Sequence, residues 1–367
     1  MGHDSVALRR TLPGVIPPVN YTELDTPALC VDIDILDGNI SRLQSACDEL
    51  QIDLRVHTKT HKTPAIARRQ IEAGAVGIVC QKLGEGEAMA AAGIRDILVP
   101  YNIVGRRKLE RMVALAQSQD TKLTLAADSA VTIEGISAAM SGAGCQVRLL
   151  VEMDTGSHRC GTQSPQQTLE LAQLIDRLPG TSFGGVMTYP SRESIGPMLD
   201  EVRELLSGAG LPPETVSGGG TGSERISKAL GCTETRIGSY AWEGMTRVGK
   251  REDLDPGRCP LRLVTTVVST SVPGQCIIDA GQKAFTSYPP TPYGYCLERP
   301  EIHIKGMSVE HGHVDIASSD RTFSVGQILS WIPLHGGMTT NLHDRLHVLR
   351  GGEVVDEWPV AGRGRCR

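Results

Sequence analysis

Between residues 27 and 240 the chain alternates short apolar segments with amphipathic ones, and this rhythm limits the available folds more than any other property. Strand-like segments recur at PALCVDID (27–34), around Leu54 and Val56, and at AVGIVC (75–80), DILVP (96–100) and KLTLAAD (122–128). Further ones follow at QVRLLVEM (146–153), SFGGVMTY (182–189), ETVSGGG (214–220) and ETRIGSY (234–240). Helical patterns fill the gaps, from Leu36 to Leu50, after Pro64, in EGEAMAAAG, from Arg106, up to Gly142, from Pro165, and over 195–209 and 223–230. Short apolar strands separated by helices imply a parallel sheet covered by helices. Eight or more such units in one run favour a closed (β/α)8 TIM-type barrel over an open sheet. Nine strand candidates compete for eight places, so the first, 27–34, is expected outside the barrel, paired with a second domain.

After about Arg251 the rhythm changes. RLVTTVVST, CIIDAG, EIHIKGMSVE, GHVDIA, ILSWIPLH, RLHVLRGG and EVVDEWPV are β-branched, alternate at period 2 and are joined by turn residues. No helical pattern interrupts them. The expected class is α/β: an N-terminal arm (1–25), a barrel (26–250) and a mainly β C-terminal domain (251–367).

A chain of 367 residues has room for two such units. Its net charge of −5 and the absence of a basic run argue against nucleic acid. No apolar stretch approaches the ~20 residues that span a bilayer, and MGHDSVALRRTLPGVIPP lacks the apolar core of a signal peptide. The ten cysteines form no CxxC pairs and read as reduced, buried thiols, which places the protein in the cytosol.

In a barrel, chemistry collects at the carboxyl ends of the strands. Reading those ends yields Lys59, Gln81, Tyr101 with Asn102, Asp128, Asp154 with Arg159, Thr188 with Tyr189, the loop 217–223, and Tyr240. A lysine at a strand end is held firmly enough to condense with an aldehyde. Crowding by His57, His61 and Lys62 is expected to depress its pKa; a cationic surface turn is the alternative. The loop SGGGTGS, with Ser217, Gly218, Gly219, Gly220, Thr221 and Gly222, lets backbone N–H groups approach a phosphate at a helix start. No strand–GxGxxG–helix unit followed by an acid points to a nicotinamide cofactor. Lysine plus phosphate cradle at one mouth indicates pyridoxal 5′-phosphate (PLP). A Schiff-base aldolase of a sugar phosphate would share both features. Arg159, facing the pyridine nitrogen, would keep it unprotonated and weaken the electron sink.

The strings TPALCVDID, RVHTKTHK, CQKLGEGEAMAAAGIRDILVPYNIVG, MDTGSHRCG, SGGGTGS, IGSY, IIDAGQKA, EHG and TTNLHD occur in one order. Together they resemble the D-threonine aldolase and D-serine dehydratase family, relatives of alanine racemase with the fold-type III PLP architecture. The resemblance spans nearly the whole chain from Asp25. It implies that Lys59 carries PLP and that 217–222 holds its phosphate. It further implies that Arg159 and Tyr189 lie beside the cofactor, Tyr240 near the phosphate and Gln81 in the mouth. It implies a homodimer acting on a small D-amino acid.

The family usually carries a divalent ion (Mn, Mg or Zn) on a histidine and on the residue two places later, Asp in aldolases or Cys in dehydratases. Here His335 aligns with the histidine, but the second position is Gly337, which has no ligand atom. His311, His313, His343 and Asp344 are the candidate substitutes, and a metal-free glycine turn is the alternative. The implied reaction is cleavage of a D-β-hydroxy-α-amino acid to glycine and an aldehyde, with Lys59, His335 and Arg159 catalytic and His335 the candidate base. Dehydration of D-serine or D-3-hydroxyaspartate, metal-independent racemisation, and non-catalytic PLP binding are the other readings.

Overall fold

Leu54 and Val56 alternate with Arg55 and His57, and the two sets face opposite ways. Leu54 and Val56 are buried in the main apolar cluster with helix residues such as Ile66 and Ile40. Arg55 instead reaches Asp96, two strands away, across the inside of a closed parallel sheet. The computed structural model describes residues 19–118, 121–244, 255–287 and 293–367.

After β1 (Val19–Asn20) and β2 (Ala28–Asp32) come the eight barrel strands. These are β3 (Asp53–His57), β4 (Gly77–Val79), β5 (Asp96–Val99), β6 (Lys122–Ala127), β7 (Val147–Asp154), β8 (Thr181–Tyr189), β9 (Thr215–Gly219) and β10 (Glu234–Ile237). All neighbours are parallel, and β10 closes onto β3 with Ile237 opposite Val56. This is the (β/α)8 barrel that the alternation predicts. Helices α1 (Ile33–Glu49), α2 (Pro64–Glu72), α3 (Leu83–Ala91), α4 (Arg106–Ala116), α5 (Ala130–Gly142), α6 (Pro165–Arg177), α7 (Gly196–Gly208) and α8 (Glu224–Ala229) cover it. In β7 a run of buried residues marks a strand covered on both faces.

The barrel interior divides by chemistry. Val79, Leu98, Ala126, Leu150 and Met187 form a small apolar cluster of their own. Opposite the apolar strands, at the amino ends, Arg55 holds Asp96 at 2.5 Å and Glu234 at 2.8 Å. A Cβ on Gly77 would come within 2.4 Å of the Arg55 guanidinium, so only glycine lets this bridge pass over β4. Ion pairs at the amino-terminal face of a barrel serve stability rather than chemistry.

β2 lies outside the barrel, antiparallel to β11 (Leu261–Ser269), with Leu263 opposite Leu29. It belongs to a ten-stranded sheet with β1 and the C-terminal strands β12 (Gln275–Ile278), β13 (Gly294–Cys296), β14 (His303–Met307), β15 (Gly312–Asp315), β16 (Ile328–Pro333), β17 (Arg345–Arg350) and β18 (Glu353–Pro359). Val19 and Asn20 pair with β18, so the end of the presumed arm is a sheet edge, while residues 1–18 lie outside the described residues. Among the described residues, one α-helix interrupts the β region, α9 (Gly336–Thr340). It escapes a pattern search because it is a single turn rich in glycine, made helical by its cap rather than by propensity.

Candidate active site

At the carboxyl ends of the strands lies an open cleft of about 330 Å³ lined by His57, Lys59, Gln81, Pro100, Arg159, Met187, Tyr189 and Arg236. Four predicted residues, Lys59, Gln81, Arg159 and Tyr189, therefore share one wall space. Lys59 sits in a 3-10 turn (Thr58–Thr60) that ends β3. Its Nζ lies 5.8 Å from the centre of the Tyr189 ring, and the Arg159 guanidinium lies 5.0 Å from the same ring. Tyr189 thus stands between two cations, on whose charge its π-face acts attractively.

Although Lys59 as a residue is exposed, the protein packed around its amine desolvates it and lowers its pKa, and the charges of Arg159 and Arg236 lower it further, against a smaller opposing pull from Glu85. The crowding expected from His57, His61 and Lys62 is not the cause. His57 donates Nε2–H to Gln81 Oε1 (3.2 Å) and takes the Lys59 N–H on Nδ1. Burial, then Lys59 and Arg236, hold it neutral, well below 6.5. His61 turns away, bonded to Gln70 and edge-on to Trp242. Lys62, at φ 53°, points to Glu85 (3.3 Å) and Asn341 (2.8 Å).

The loop that presents Arg159 is built by Asp154, whose Oδ1 accepts the N–H groups of Ser157 (3.0 Å) and His158 (3.2 Å). Arg159 then meets Glu152 at 3.4 Å. Arg236 was missed by reading strand ends, because it sits within β10. It is buried, and its guanidinium donates to Ser217 Oγ and to the Thr188 carbonyl at 2.7 Å. The available signal was a period-2 pair of opposite charges, Glu234 and Arg236, inside a short strand whose other residues are Thr235 and Ile237.

The glycine loop follows β9, next to β10 and two strands from Lys59. Gly220 and Gly222 have φ of 126° and 77°, which residues with a Cβ rarely adopt. The Gly220 and Ser223 N–H groups are used within the protein, on Arg236 and Gly220 carbonyls. Among the described residues, those of Thr221 and Gly222 find no acceptor, and the space above Gly222 is open. Such a pair of N–H groups suits an anion. Ser217, Gly218 and Gly219 are buried strand, with Gly218 pressed against Ser191 and Ser227. Tyr240 is not in the cleft wall: it is buried behind it, and Gln70 donates to its hydroxyl at 2.8 Å.

His335 caps α9, its Nδ1 accepting the Met338 N–H at 3.1 Å. It lies close enough to the cleft for the charge of Lys59 to lower its pKa, after burial. Gly337 packs on the Thr60 carbonyl and offers no donor. Among the described residues no group of three or more His, Cys, Asp or Glu could hold a metal ion. His343 is bonded to the Ala284 carbonyl (2.8 Å), Asp344 to Arg363 (3.1 Å), and His313 to Ser308 (2.9 Å). The residues present do not fit a divalent ion.

A closed parallel barrel with a lysine at a strand's carboxyl end, joined to a mainly β C-terminal sheet, is the architecture of fold-type III proteins. The family described as alanine racemase, N-terminal domain, matches residues 31–245, and that described as putative serine dehydratase domain matches 260–349. Full-length relatives narrow the class. The chain is 34% identical over 373 residues to the D-threonine aldolase of Arthrobacter sp, covering 97% of both chains. It is 32% identical over 372 residues to the 3-hydroxy-D-aspartate aldolase of Paracoccus denitrificans, covering 95% of both. The crystal structure of D-threonine aldolase from Filomicrobium marinum matches with a TM-score of 0.86 at 30% identity, over 95% of this chain and 99% of that one. The chain belongs to the D-threonine aldolase and D-serine dehydratase family of alanine racemase-like proteins.

Proposed function

We propose that this protein is a PLP-dependent lyase that splits a D-β-hydroxy-α-amino acid between Cα and Cβ, giving glycine and an aldehyde. The observation that carries the reading is the Lys59 amine, which lines the open cleft at the barrel mouth with its pKa lowered near Arg159 and Arg236. PLP, when bound, supplies an aldehyde for an amine and a conjugated ring that takes up the electron pair left at Cα.

The chain's residues prepare that chemistry. Lys59 is the covalent anchor, and its depressed pKa keeps more of the amine nucleophilic near neutrality. The Thr221 and Gly222 N–H groups receive the phosphate. Arg236 and Arg159 offer guanidinium groups to the cofactor's oxygen and ring nitrogen and to the substrate carboxylate. A guanidinium facing the ring nitrogen leaves that nitrogen unprotonated. Gln81, fixed by His57 and by its own N–H on Glu85 (2.7 Å), closes one side. Tyr189 sets its ring beside both cations.

The substrate hydroxyl must lose a proton before the bond breaks. His335 was the candidate base, but its Nδ1 accepts a backbone N–H, so its neutral ring carries the proton on Nε2. In that tautomer Nε2 donates. We therefore give His335 the part of hydrogen-bond donor to the β-oxygen, and the neutral Lys59 amine the part of proton acceptor. The same reading takes the protein as a cytosolic homodimer, in keeping with ten unpaired cysteines.

The test is product analysis of PLP-loaded protein with D-threonine, D-3-hydroxyaspartate and D-serine. Glycine plus aldehyde is expected. Keto acid plus ammonia, or stereoinversion alone, contradicts the assignment.

A further inference from the structure

We propose that this chain has given up the divalent cation of its family and works without one; the inference deepens the proposed function and concerns the same mouth. It stands on the donor set and on how the 335–337 turn is packed.

A structural or catalytic divalent ion needs at least two, and usually three, protein ligands of O, N or S. The turn supplies one. His335 spends Nδ1 on the Met338 N–H at 3.1 Å, leaving Nε2 as its only candidate donor atom. Gly337, two residues on, has none. Nor is the missing side chain replaced by an empty pocket. A Cβ on Gly337 would lie 3.3 Å from the Thr60 carbonyl oxygen, and one on Gly336 2.9 Å from Trp242 Cδ1. Helix α9 has thus closed onto the turn that carries Lys59, and Trp242 locks that turn by donating to the Thr60 carbonyl at 2.9 Å.

Among the described residues, His343, Asp344 and His313 are each committed to a partner elsewhere, as above, and His311 lies exposed in the turn between β14 and β15. Around the mouth stand two fixed positive charges, Arg159 and Arg236. Adding a dication beside them is electrostatically unfavourable. The positive charge that a metal would bring to the β-oxygen is offered here by these guanidinium groups and by N–H donors.

The experiment reads metal binding directly. Protein purified with PLP is treated with EDTA, its metal content is measured by mass spectrometry, and Mn²⁺ and Zn²⁺ are titrated by calorimetry. Wild type is expected to hold no stoichiometric metal and to give no saturable heat. Gly337→Asp, which restores a carboxylate two residues after His335, is expected to bind Mn²⁺ where wild type does not. One ion per protomer in wild type, lost in His335→Ala, overturns the proposal. Equal Mn²⁺ binding by wild type and Gly337→Asp does so too. Because the readout is binding, it holds whether or not cleavage is observed. Inertness toward every D-amino acid sinks the proposed function alone.

Discussion

Lys62 Nζ donates to Asn341 Oδ1 at 2.8 Å and sits 3.3 Å from Glu85 Oε1, tying the Lys59 turn to the helix capped by His335. Three segments, two from the first third of the chain and one from the last, are joined by one ammonium group. Glu85 in turn accepts the Gln81 N–H at 2.7 Å, so the tie reaches the cleft wall.

Removing that ammonium leaves Glu85 buried and unpaired. Lys62→Met should cost about 3 kcal/mol of stability, within the range for breaking a buried pair. Urea denaturation of the PLP-loaded protein measures it. A loss below about 0.5 kcal/mol, typical of an exposed pair, would show that the tie is not formed.

The lowered pKa of Lys59 has a pH signature. The neutral amine is the form that captures an aldehyde, so capture rises with pH and reaches half its maximum below the ordinary 10.5. Arg159→Gln and Arg236→Gln each remove a cation and should move that midpoint to higher pH, the sign being opposite for removal of Glu85. Stopped-flow absorbance after mixing apoprotein with PLP at a series of pH values gives the midpoint. An unmoved midpoint in both arginine variants would separate Lys59 from these charges.

The anion loop makes a backbone prediction. Gly222 has φ 77° and open space above it, so an added methyl strains conformation without clashing. Left-handed backbone costs a residue with a Cβ roughly 1–2 kcal/mol. A loop that relaxes to escape that strain must be restored on binding, so Gly222→Ala should weaken PLP affinity by about tenfold. Fluorescence titration of PLP checks the affinity, and unchanged affinity would take the loop out of the phosphate site.

His335 is assigned as a donor. His335→Gln keeps an N–H donor and should retain more activity than His335→Ala, in which the β-oxygen loses its partner; removing one such donor typically costs about 10²–10³ in kcat. Steady-state assay of both variants decides, and equal losses would return His335 to a base or a purely structural part.

The barrel was legible because each strand is short, apolar and bounded, and because parallel strands need helices between them. Which face of each strand looks inward was not. At β3 the apolar residues Leu54 and Val56 face the helices, while the polar Arg55 and His57 face the barrel axis, the reverse of a simple core. Arg236 was hidden for the same reason. Lys59, Gln81, Arg159 and Tyr189 were found because each lies at a strand's carboxyl end, where topology alone brings them together. The pairing of Lys62 with Asn341, across 279 positions, has no local trace. Helix α9 was invisible for a different reason: its cap is a histidine, and its body holds two glycines.

The account rests on the amine of residue 59. Borohydride reduction of the PLP-loaded protein, followed by peptide mass mapping, tests it most directly. A pyridoxyl-phosphate adduct on Lys59, absent from Lys59→Ala, is the result it predicts. An adduct on Lys62 or Lys82 instead, or none after loading, would contradict it.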